Sequence, residues 1–176
     1  MIKILRLLPE FFVNENDTES VHGLFLEYFK GFDEVQVVKK IFGEKTTDIL
    51  SRLQVEFNST HGGYMHVDGN DGHIVINRNY IQNGDKIDIY LDLIHELFHV
   101  KQFMDGRELF DKNYKYVDRP TEIEAYTYTV QEAKRIGLTE IRICQYLQAE
   151  WITDTDFKRL LKAVNLNYEI DSAASQ

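Results

Sequence analysis

His95-Glu96-Leu97-Phe98-His99 lies inside an apolar run from Ile87 to Met104, and the reading of that run decides the fold. Ile87, Tyr90, Leu91, Leu93, Ile94, Leu97, Phe98, Val100 and Phe103 put apolar groups on most sides of a helix, which is the pattern of a buried one. Asp85 is placed to cap its start and Gly106 to end it. Asp88, Asp92, His95, His99 and Gln102 share one strip at three- and four-residue spacing, so the helix carries a polar stripe through an apolar surround. Buried histidines need partners. Residues four apart stand about 40° apart around a helix axis, so His95 and His99 reach one point, and Glu96 is close enough to take a proton from a water held there. Two imidazoles and a glutamate in this spacing point to a zinc site with a general base, Glu96.

Catalytic zinc usually takes three protein ligands and leaves a fourth position for water. A histidine six residues past His99 would supply the third in one known pattern, but position 105 is aspartate and position 102 is Gln where that pattern has Gly. The other four histidines, His22, His61, His66 and His73, all precede the motif and read as surface or hairpin residues. Downstream, Arg119-Pro120-Thr121-Glu122-Ile123-Glu124-Ala125-Tyr126 opens a helix with two carboxylates about 200° apart around its axis. Glu122 shares a face with Ala125, Tyr126, Thr129 and Ala133, suited to packing. Glu124 shares one with Tyr128, Gln131, Glu132 and Arg135, which reads as solvated. Thr121 and Glu124 also stand at capping-box spacing. Glu122 is the better ligand, with Glu124 as the alternative.

From His95 to Tyr126 the chain resembles a small zincin metallopeptidase of the gluzincin type, in which a HExxH helix is followed by a helix opening with a ligand glutamate in a Glu-x-x-Ala setting. The resemblance implies that His95, His99 and Glu122 hold Zn2+ and that Glu96 activates the water. It also implies that the strand from His73 to Arg78 is the sheet edge along which an extended peptide lies. Several such families carry Asp or Asn four residues after the ligand glutamate, where this chain has Tyr126; Asp92, one turn before His95, either supports a histidine instead or lies on the helix surface. Tyr114, Tyr116, Arg119 and Tyr126 compete for the role of oxyanion donor. The stretch from Phe110 to Tyr116 reads as a solvated loop, with a substrate-gating loop as the alternative.

Outside the motif, Thr18 to Phe32 reads as a helix ended by Gly31, Val35 to Phe42 as a strand, Glu44 to Leu53 as a helix and Gln54 to Asn58 as a strand. Tyr64 to Val67 and His73 to Arg78 flank Asp68-Gly69-Asn70-Asp71-Gly72, a hairpin signal. Helices follow over Glu122 to Ile136, Glu140 to Ala149 and Asp156 to Val164, with Thr121, Thr139 and Thr155 as caps. The class is therefore α+β: a minimal zincin-like fold with a small, mostly antiparallel sheet on the HExxH helix and a helical C-terminal part. One domain is expected over residues 1–167, with a loose tail over 168–176.

With 176 residues, 43% of them hydrophobic, the chain can bury a core without disulfides, and the lone Cys144 reads as a small core residue suited to a reducing compartment. The start Met1 to Glu10 lacks the core and cleavage site of a signal peptide, and no run of 18 apolar residues occurs, so a cytoplasmic protein with no membrane partner is expected. Net charge is −9, which argues against nucleic acid as a partner, and so against a nucleic-acid-associated protease. The expected function is zinc-dependent hydrolysis of a peptide or protein substrate. Its rival is a zinc-bound regulatory or protein-binding module without turnover, which would have no need of Glu96.

Overall fold

Residues 21–59, 63–149 and 151–166 are described in the computed structural model. The first twenty residues, His61 and the expected tail lie outside them. Among the described residues the chain is a mixture of helices with a four-stranded sheet, and it divides into two units, residues 1–110 and 111–176.

In the first unit the strands are β1 (Val21–Leu24), β2 (Gln54–Asn58), β3 (Met65–Val67) and β4 (Ile74–Asn77), in the order β1-β2-β4-β3. The β1–β2 and β3–β4 ladders are antiparallel, while β2 and β4 run parallel, so the sheet is mixed. Alternation does the sorting: Val55 and Phe57 of β2 and Ile74 and Ile76 of β4 are fully buried, and Glu56 and Val75, paired across the strands, project from the other face. β4 is held on both sides. It therefore has no open edge, and the expectation that an extended peptide lies along His73 to Arg78 is overturned by that pairing.

Two other expectations in this unit fail. Val35 to Phe42 is not a strand but contains helix α2 (Gln36–Phe42), because Val37, Val38, Ile41 and Phe42 are buried at one-four-five spacing, a helical stripe that outweighs the β-preference of the valines. The expected helix from Thr18 is, from residue 21 on, strand β1 followed by the short α1 (Phe25–Tyr28) and a 3-10 turn at Phe32–Glu34. Phe25, Phe29 and Phe32 still bury together with ring centroids 4.8–5.8 Å apart, and Phe32 reaches Tyr90 at 5.8 Å. Val21 and Leu24 stay well exposed, free to pair as strand. Each fully buried phenylalanine contributes roughly 1.5–3 kcal/mol.

Helix α3 (Thr46–Arg52) leads into β2, and α4 (Arg78–Asn83) separates β4 from α5 (Lys86–Met104), the HExxH helix. Asp85 caps α5 as expected, its carboxylate accepting from Ile87 N at 2.9 Å and Asp88 N at 3.1 Å. Gly106, at φ +73°, follows its end. The helix packs on α2 and β3, and eleven of its nineteen residues are buried. That burial explains why it is apolar on most sides.

The second unit holds a 3-10 turn at Tyr116–Asp118 and helices α6 (Pro120–Arg135), α7 (Glu140–Leu147) and α8 (Asp154–Ala163). Its core is built from Val130, Ala133, Ile143, Cys144, Leu147, Phe157, Leu160 and Leu161. Burial pushes the Cys144 thiol up, with Glu140 adding to it, so it packs as a neutral group. Arg159 of α8 grips Asp118 with Nε and Nη2, at 2.9 and 3.1 Å. Thr139 caps α7 as expected. α8 is capped by Thr153, not Thr155, and α6 starts at Pro120 with Arg119 in the cap position, so Thr121 lies within the helix and not at its cap.

Candidate metal centre

Within the first unit, α5 brings the two motif histidines together. Their Nε2 atoms lie 2.9 Å apart, with the rings edge to face at a centroid distance of 4.6 Å, and both residues are buried. His99 Nδ1 is 2.7 Å from Gln102 Oε1, one turn further along the same helix. An amide oxygen only accepts, so Nδ1 is the donor, and in a neutral imidazole the lone pair would then be on Nε2, where it faces His95. That is the tautomer a metal ligand needs. The sequence put Gln102 in the polar stripe but gave it no task; the signal was its position three residues after His99. Glu96 is buried on the same helix.

Asp92 is not a plain surface residue. It accepts from Tyr80 Oη at 2.5 Å, and Tyr80 in turn stacks on Tyr64 with centroids 4.3 Å apart. Burial pushes the Tyr80 hydroxyl far above its ordinary value, and the Asp92 carboxylate pushes the same way, so Tyr80 remains a donor at every physiological pH.

Within the second unit, Glu122 is buried in the first turn of α6, on a face it shares with Ala125, Tyr126, Thr129 and Ala133, all buried. Glu124 is half-exposed. The face expected to be solvated has one exception: Glu132 is buried, and Arg135 clamps it through Nε and Nη2, both at 2.6 Å. Of the four residues competing to be a donor, Tyr126 lies one turn beyond Glu122 on the same face and shares a 2.8 Å hydrogen bond with the Tyr116 hydroxyl. The Arg119 guanidinium sits 5.8 Å from the centre of the Tyr116 ring. Tyr114 is exposed.

His95, His99 and Glu122 are each buried, and each is of a residue type that can ligate a metal ion. Among the described residues no helix is long and apolar enough to cross a membrane. No protein-family model, no curated protein and no solved structure matches the chain.

Proposed function

We propose that the protein is a zinc-dependent metallopeptidase of a minimal gluzincin kind, with His95, His99 and Glu122 as metal ligands and Glu96 as general base. The observation that carries the reading is the 2.9 Å approach of two buried imidazole Nε2 atoms with the Gln102 amide fixing the tautomer of one. His95 and His99 would offer lone pairs from one helix, and Glu122 a charged oxygen from another. Zinc bound there would lower the pKa of its water and polarise a peptide carbonyl. Glu96 would accept the water's proton and return it to the departing amine. Tyr126, held by Tyr116, supports the reading as a donor on the Glu122 face. The substrate class is peptide or protein. A single cysteine, buried and in no disulfide, supports a reducing compartment such as the cytoplasm as its place of action.

Zinc-replete protein incubated with a peptide library, with products read by mass spectrometry, tests the proposal. Cleavage is expected, and Glu96→Gln should keep its zinc and its fold while turnover falls by a factor on the order of 10² or more. Equal rates would remove Glu96 from the role of base. Complete inertness of the wild type would favour the zinc-bound binding module.

A further inference from the structure

Arg119 stands at the start of α6, in a place that helix stability does not explain. It occupies the cap position before Pro120, where a side chain would accept from the helix, and an arginine has nothing with which to accept. It also sets a positive charge beside the positive end of a sixteen-residue helix, where an anion is the favoured neighbour. Its backbone is used: Arg119 N donates to Tyr116 O at 3.2 Å, and Arg119 O accepts from Ile123 N at 3.0 Å. The side chain is not used in this way, since Nε is buried and has no hydrogen-bond partner among the described residues. The adjacent carboxylate, Asp118, is committed elsewhere, with Oδ1 and Oδ2 both taken by Arg159.

The guanidinium is nevertheless held in place. It lies over the Tyr116 ring at 5.8 Å. Tyr116 is fixed in turn by the 2.8 Å hydrogen bond to the Tyr126 hydroxyl and by the near-perpendicular packing of the two rings, with centroids 6.4 Å apart. Contact with a ring engages the face of a guanidinium and leaves its in-plane N–H donors for other partners. A buried donor left without an acceptor costs about 1–3 kcal/mol. A ligand oxygen removes that cost, and a planar fork of N–H groups matches the two oxygens of a carboxylate. A singly charged anion suits the surround best: Asp118, Glu122 and Glu124 all lie within five residues of Arg119, so a phosphate dianion would meet more repulsion than a carboxylate.

We propose that Arg119 binds a carboxylate and, on the reading of the protein as a peptidase, selects substrates that carry one close to the scissile bond. Glu122, the metal ligand of that reading, follows three residues later in the first turn of the same helix. The carboxylate is supplied either by the end of a peptide chain or by an aspartate or glutamate side chain.

Two measurements test this, the first without turnover. In nitrogen-correlated proton NMR spectra of the full chain, the Arg119 Nε–H resonance is followed as phenylacetate or neutral phenylacetamide is added. The acid should shift it saturably and the amide should not, and Arg119→Gln should weaken phenylacetate binding at least about 10-fold through loss of a charged hydrogen bond. Equal shifts from acid and amide, or none from either, overturn the site even if the variant fails to fold, as does undiminished binding to Arg119→Gln. The second measurement compares cleavage by zinc-loaded protein of one peptide in three forms: the free acid, its C-terminal amide, and that amide with a glutamate in the second-last place. kcat/KM should be at least about 10-fold higher for a form that carries a carboxylate than for the plain amide, and Arg119→Gln should erase the preference. Preference for the free acid assigns the chain end, and preference for the glutamate amide assigns the side chain. Equal rates for all three overturn the selection of substrates. Phenylacetate held by Arg119 in a protein that cleaves nothing would sink the peptidase reading and leave the carboxylate site standing.

Discussion

Gln102 Oε1 accepts a hydrogen bond from His99 Nδ1 at 2.7 Å, three residues along the same helix, and this pins the His99 lone pair to Nε2. An orienting partner of this kind typically accounts for about 10–100-fold in metal affinity. Gln102→Ala should therefore weaken zinc binding by that factor, and Gln102→Glu should restore much of it, because a carboxylate oxygen accepts from the same Nδ1. Competition with a chromophoric chelator measures both. Equal affinity in Gln102→Ala and wild type would show that the ring orientation is set elsewhere.

Metal removal tests the centre as a whole. A ligand bound only by the folded state at 1,000 times its Kd stabilises by about 4 kcal/mol. That corresponds to several degrees in Tm for a chain of this size. Chelation of protein first shown to carry one zinc should lower the melting temperature by that amount, and zinc should restore it. A superimposable melting curve would separate the metal from the fold.

The HExxH helix was legible almost to the residue, since its cap Asp85, its end Gly106 and its apolar surround are all local signals. So was the β3–β4 hairpin, through its aspartate- and glycine-rich turn. What failed was what depends on distant partners. β1 reads as the first turn of a helix until Gln54–Asn58 arrives to pair with it, and β4 reads as an edge until β2 closes its other side. The valines before Phe42 favour a strand by propensity, and the helical spacing of Val37, Val38, Ile41 and Phe42, the residues that bury, outweighs it. In the candidate centre, the ligand types were visible in the motif, whereas the service of Gln102 to His99 and of Tyr80 to Asp92 is a matter of side-chain direction.

The start of α8 carries an acid-sensitive contact. Thr153 Oγ1 donates to Asp156 Oδ2 at 2.9 Å, and Arg159 Nη2 reaches Asp156 Oδ1 at 2.5 Å. The Thr153 hydrogen bond, followed by Arg159, holds the Asp156 carboxyl below the ordinary carboxylate range. A depressed folded-state pKa contributes stability that is complete above the unfolded value and is lost as pH falls through the folded one. Asp156→Asn should thus be less stable than wild type at neutral pH, and the gap should close in strong acid. Urea unfolding at a series of pH values reads this; a gap that stays constant would remove the ionised carboxylate from the account.

Glu122 and Glu124 stand two residues apart in α6, one buried and one half-exposed, and the proposed metal centre needs only the first. Glu122→Ala should lower zinc affinity at least about 100-fold, because it removes a charged ligand and leaves two imidazoles with water in its place. For Glu124→Ala the sequence alone suggested a lost capping box and a cost of about 0.5–1 kcal/mol. That cost is not expected, because α6 begins at Pro120 with Arg119 as its cap and Thr121 inside the helix. Glu124→Ala should then change stability by no more than about 0.5 kcal/mol and keep its zinc. Zinc stoichiometry after dialysis against a weak chelator, with urea unfolding alongside, compares the two variants. Metal lost from Glu124→Ala and kept by Glu122→Ala would reverse the assignment, and metal kept by both would move the third ligand away from this helix altogether.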